Sequence, residues 1–96
     1  MAGSNVAEIG GVVQDLKKVL ELCFISAQLK TVSEYEKDSI PHTRIFFSTE
    51  PITDKLGLKK VLQTRKYKFF AVKSWDIETS GVSVVVIPKK VPAWLT

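Results

Sequence analysis

Val6, Ile9, Val13, Leu16, Leu20, Cys23 and Ala27 follow one another at steps of three and four residues, the spacing that lines one face of an α-helix. Ser4 and Asn5 are capping residues and Gly10-Gly11 weakens the opening turns, so the spacing predicts a helix that begins near Asn5 or Gly11. Leu29, Val32 and Tyr35 prolong the apolar spacing until Asp38, Ser39 and the Ile40–Pro41 step end any helix. From Asn5 to Leu29 such a helix spans roughly 37 Å, and to Tyr35 about 46 Å. A compact chain of this length has a diameter of only about 30 Å. The helix is therefore expected either to break near Lys30 or to carry its overhanging end onto another subunit, in coiled-coil fashion.

Beyond Pro41 the pattern shortens. Ile45, Phe46 and Phe47 within Thr43 to Ser48 suit a strand. Glu50, Pro51 and Thr53 are helix-start residues, and Ile52, Leu56, Leu58, Val61 and Leu62 give a second, shorter helix that contains Gly57. Tyr67 to Trp75 reads as a strand, Asp76 to Gly81 as a turn, and Gly81 to Ile87 as the last strand. Val82, Val84 and Val86 point one way and Val85 and Ile87 the other, so this strand needs cover on both faces and belongs centrally or beside a subunit interface. Pro88 and Pro92 bound a tail over residues 88–96.

Helix, strand, helix, strand, strand is the predicted order. The strand–helix–strand unit implies a parallel crossover and the final hairpin an antiparallel partner. The expected fold is thus α+β: a long N-terminal helix, then strand-helix-strand-strand forming a small mixed three-stranded sheet with the helices packed on one face. Its 96 residues, with 45% hydrophobic content, fit a single domain over 1–96. No basic region precedes a long apolar run, so neither a signal peptide nor a membrane span is expected. One cysteine, Cys23, forbids an internal disulfide and favours an intracellular location, cytoplasmic or nuclear.

The net charge of +4 conceals a split. Residues 1–40 carry four lysines against six carboxylates, and residues 41–96 carry ten bases against four carboxylates. Lys55, Lys59, Lys60, Arg65, Lys66, Lys68 and Lys73 follow one another without an acidic residue between, interleaved with Tyr67, Phe69 and Phe70. Cations along a surface contact phosphates, and aromatic faces stack exposed bases for about 1 to 3 kcal/mol each. Strict alternation puts Tyr67, Phe69, Ala71, Lys73 and Trp75 on one sheet face. A solvated helix followed by a half-buried strand is the plainer account of the same residues. Lys68 to Trp75 shows a partial similarity to the central ribonucleoprotein motif of the RNA-recognition fold. Phe69 stands there in place of glycine and Val72 in place of an aromatic, and the element order differs, so no residue role carries over.

Other chemistry is poorly supplied. Cys23 and His42 are the sole thiol and imidazole, with Cys23 on a core-facing helical position and His42 at a turn or surface. Glu34, Glu36 and Asp38 read as a solvated helix end, and Glu50 and Asp54 as capping residues rather than a catalytic pair. No metal and no cofactor is called for.

The residues favour a small non-enzymatic binding module, self-associating, that contacts an anionic macromolecule through the basic-aromatic segment 55–75, with nucleic acid favoured. Lys59, Lys60, Arg65, Lys66, Lys68 and Lys73 are the expected phosphate contacts, and Tyr67 and Phe69 the expected base platforms. The alternative is a protein–protein assembly or adaptor subunit that uses the N-terminal helix through Leu16 and Leu20, the apolar last strand and Trp94.

Overall fold

Apolar residues on one face make α1 (Ala2–Leu22), which packs on a sheet of β1 (Ala27–Lys37), β2 (Ile40–Thr49), β3 (Phe70–Glu78) and β4 (Gly81–Pro88), with α2 (Lys55–Gln63) between β2 and β3. This is a computed structural model that describes residues 2–89, with side chains from Ile9 onward. The strand order is β1-β2-β4-β3 and every ladder is antiparallel.

The expected mixed, three-stranded sheet behind one very long helix is therefore corrected on three counts. The helix stops at Leu22, a fourth strand occupies residues 27–37, and no parallel ladder forms among the described residues. β2 and β3 do run in the same direction, as a strand–helix–strand unit requires, but β4 inserts between them and bonds antiparallel to both. The central seat expected for the valine-rich strand is the one it takes. Val82, Val84 and Val86 face the helices and are buried, while Val85 and Ile87 on the other face are partly covered.

α1 ends because the backbone turns left-handed at Phe24, whose φ is 61°. The N–H of Ile25 donates to the Leu20 carbonyl at 2.9 Å and that of Phe24 to the Glu21 carbonyl at 2.9 Å, the paired bonds of a Schellman cap. Glycine normally marks this position, and Phe24 hides the stop from a reading of the sequence. Asp38 and Ser39 also have positive φ, 54° and 62°, between the paired residues Lys37 and Ile40. They form the tight turn of a hairpin, not the end of a helix.

β1 mimics a helix through a bulge. The β1–β2 register shifts between Leu29 and Thr31, so Lys30 is the extra residue and Leu29 and Val32, three apart, fall on the same sheet face. β3 repeats the device: its register shifts between Val72 and Ser74, with Lys73 as the extra residue. Val72 and Trp75 then share the helix-covered face, which breaks the alternation that grouped Trp75 with Ala71 and Lys73. β3 also starts at Phe70, leaving Tyr67 and Phe69 in the loop before it.

Ile9, Val12, Leu16, Val19 and Leu20 of α1, with Leu58 and Leu62 of α2, close over Ile45, Phe47, Val82, Val84 and Val86 in one core. No described helix is long and apolar enough to cross a membrane.

Candidate nucleic-acid interface

Leu58 and Leu62 bury the inner side of α2 and leave Lys59 and Gln63, one turn apart, on its flank. The loop after α2 brings Arg65, Lys66 and Tyr67 past the same flank, and β3 supplies Phe70, Lys73 and Trp75. The backbone N–H of Lys89 donates to the Phe69 carbonyl at 3.0 Å and thereby ties the end of β4 beside the start of β3. The result is a groove of about 600 Å³ between α2 and β3, edged by Lys59, Arg65, Lys66, Lys73 and Lys89 and lined by no carboxylate among the described residues.

One of these cations is already engaged. Arg65 Nε donates to Asp15 Oδ2 at 3.1 Å, its Nη2 donates to Oδ1, and the Tyr67 hydroxyl donates to Oδ2 at 2.9 Å. Partial burial alone would raise the Asp15 pKa, but the hydrogen bonds from Arg65 and Tyr67 and the charges of Arg65 and Lys18 outweigh it and hold the carboxyl below the usual aspartate value. The same hydrogen bond raises the Arg65 pKa. Burial, then the hydrogen bond to Asp15, push the Tyr67 phenol well above its ordinary range. Arg65 and Tyr67 are therefore held as the wall of the groove, with their polar groups committed to α1. Among the described residues no ion pair holds Lys59, Lys66, Lys73 or Lys89.

The structure thus gathers Lys59, Arg65, Lys66, Tyr67 and Lys73 from the predicted set. Lys60 is exposed outside the groove. Lys68 lies 5.4 Å above the ring of Phe69, and this half-exposed pair also stands outside it. Lys89 and Trp75 complete the site. Lys89 escaped the sequence reading because it follows Pro88, far from the basic run, and only the pairing of β4 with β3 brings it in. Strict alternation places Trp75 with Ala71 and Lys73, and the bulge at Lys73 turns it to the other side, into the groove. Leu16 and Leu20 are 3% and 0% exposed, so the surface expected to meet a partner lies inside this chain's own core. Trp94 lies outside the described residues.

The remaining candidates are structural. The Asp54 carboxylate caps α2 by accepting the Gly57 N–H at 2.9 Å, and Glu50 Oε1 accepts the Ser26 N–H at 3.0 Å. His42 is buried, not superficial: its ring stacks on Tyr35 with centroids 5.1 Å apart, and Nδ1 donates to the Ile40 carbonyl at 2.8 Å. A carbonyl can only accept, which places the proton on Nδ1. His42 sits on the sheet face away from the helices, whereas Cys23 packs against the core on the helix side, so the sheet stands between them. Among the described residues no group of three or more His, Cys, Asp or Glu converges on a point. No protein family, curated protein or solved structure matches this chain.

Proposed function

We propose that this protein is a non-enzymatic, intracellular binding module that holds single-stranded nucleic acid along the α2–β3 groove. The observation that carries the reading is the convergence of Lys59, Lys66, Lys73 and Lys89, drawn from four parts of the chain, on one carboxylate-free groove that also holds Trp75. Four cations at the edges of one channel match a phosphate backbone, and an indole within it offers a base a stacking face. The separation of Cys23 from His42 favours binding over catalysis, because it leaves the sole thiol without its base.

Anisotropy of a labelled oligothymidine at a series of salt concentrations tests the reading. With up to four phosphates neutralised, the logarithm of the binding constant falls against that of salt with a slope of about −3. Lys66→Ala and Lys73→Ala should each flatten that slope by about 0.7, whatever the base sequence. Absence of binding at low salt overturns the proposal. Binding of heparin as tight as that of the oligonucleotide, with Trp75→Ala without effect, overturns the nucleic-acid assignment.

A further inference from the structure

Both helices pack on one face of the sheet, and among the described residues no element lies against the other. The register divides the charges of the edge strands between these faces. Beyond its bulge, β1 turns Glu34 and Glu36 to the helix side and Ser33, Tyr35 and Lys37 to the open side. On β3 the open side holds Ala71 and Ser74 at the groove end, with Asp76 and Glu78 farther along the strand. The groove itself reaches the open side: Ala71 and Ser74 line it together with Val72 and Trp75, so it straddles the free edge of β3. From Ser74 one row of paired residues crosses the whole sheet, Ser74 with Val85, Val85 with Arg44, and Arg44 with Ser33. Beside it run the pairs Ala71 with Ile87 and His42 with Tyr35. This strip carries no carboxylate. Arg44 is exposed and has no ion-pair partner among the described residues. Tyr35 is 44% exposed and stacks on the buried His42, whose ring is fixed by its bond to the Ile40 carbonyl.

We propose that the single strand held in the groove continues over the β3 edge onto this open face, where Arg44 takes a further phosphate and Tyr35 a further base. The inference rests on the nucleic-acid reading of the groove. Continuity with the groove and charge select the occupant. An apolar partner laid on the strip would bury the Arg44 guanidinium without a counter-charge, whereas a phosphate supplies one. The Tyr35 ring, already held in place by His42, offers a base a stacking face with little left to order. Three strand spacings of about 4.8 Å make the path from Ser74 to Ser33 about 14 Å long, so a strand that uses it must be longer than one that fills the groove alone.

Anisotropy with oligothymidines of about four and about ten nucleotides tests it. Arg44→Ala should weaken the longer probe about fivefold, flatten its salt slope by about 0.7 and leave the shorter probe unchanged. Tyr35→Ala should weaken the longer probe to a similar extent, and Tyr35→Phe, which keeps the ring, should not. Lys66→Ala, within the groove, should weaken both probes. Arg44 and Tyr35 are exposed, and circular dichroism verifies that each variant is folded. If neither probe binds at low salt, the groove reading fails and this inference with it. If both bind and Lys66→Ala weakens both, while Arg44→Ala and Tyr35→Ala leave the longer probe at its wild-type affinity and slope, the groove reading stands and the inference is overturned. An equal loss for both lengths in Arg44→Ala also overturns it, because Arg44 would then act through the fold or the general field and not on the added length.

Discussion

Asp15 on α1 and Arg65 after α2, fifty residues apart, are joined by two hydrogen bonds that pin the loop carrying the groove to the first helix. Tyr67 adds a third to the same carboxylate. The pairing fixes one wall of the groove and withholds one cation from whatever enters it.

Removal of the carboxylate should have opposite effects on stability and on binding. Asp15→Ala leaves the Tyr67 hydroxyl without its acceptor and is expected to lower the unfolding free energy by about 1 kcal/mol in urea titrations at neutral pH. The freed Arg65 should at the same time tighten oligonucleotide binding several-fold and steepen its salt dependence. Weaker binding in a folded Asp15→Ala would mean that the ion pair positions Arg65 for the ligand and does not compete with it.

The two titrations bound a window of pH. The Asp15 carboxyl is held below its ordinary value of 3.8, so its contribution is complete above that value and is lost as pH falls through the lower folded pKa. The Tyr67 phenol is raised above its ordinary 10.0, so its contribution is complete below that value and is lost as pH climbs beyond it. The stability difference between wild type and Asp15→Ala should therefore hold steady through neutrality and shrink toward both extremes. An ultraviolet titration should show Tyr67 ionising later than a free tyrosine.

Gly57 sits in the first turn of α2, where alanine would ordinarily stabilise a helix by about 1 kcal/mol. A methyl group there would collide with the Asp54 carboxylate that caps the helix. Gly57→Ala is thus expected to gain nothing or to destabilise, whereas the same change made on top of Asp54→Ala should recover about 1 kcal/mol. Thermal unfolding of the four proteins of this cycle measures the coupling.

Phe24→Gly is expected to stabilise the chain by about 0.5 to 1 kcal/mol, because glycine enters the left-handed backbone region without the penalty of a β-carbon. The lost ring contributes little burial, being 92% exposed. A destabilised variant would show that the ring makes contacts that outweigh the strain.

Leu20→Ala should cost about 3 to 5 kcal/mol, since Leu20 is wholly buried beneath the sheet. Denaturant unfolding would register a lower midpoint at an unchanged slope. An effect on assembly with no loss of stability would restore Leu20 to an interface.

What the sequence revealed and what it hid have the same physical origin. The periodicity of Ile9, Leu16 and Leu20 is a helical signal wherever it occurs, and the alternating valines of β4 demand cover on both faces, so α1 and the central strand were legible. β1 was not, because a bulge at Lys30 stretches a two-residue step to three and a phenylalanine stands where a helix-ending glycine is normal. The same limit applied at the groove: the density of lysines announced a basic surface, but Arg65 is withdrawn by a carboxylate fifty residues away and Lys89 is brought in by strand pairing.

By itself the chain determined the buried stripe of α1, the two-faced apolar character of β4 and where positive charge accumulates, for these follow from local period and composition. Only the tertiary structure decided the sheet order, the side on which Trp75 lies and which cations remain unpaired. Those depend on hydrogen bonds and ion pairs between distant residues, whose partners no local pattern specifies.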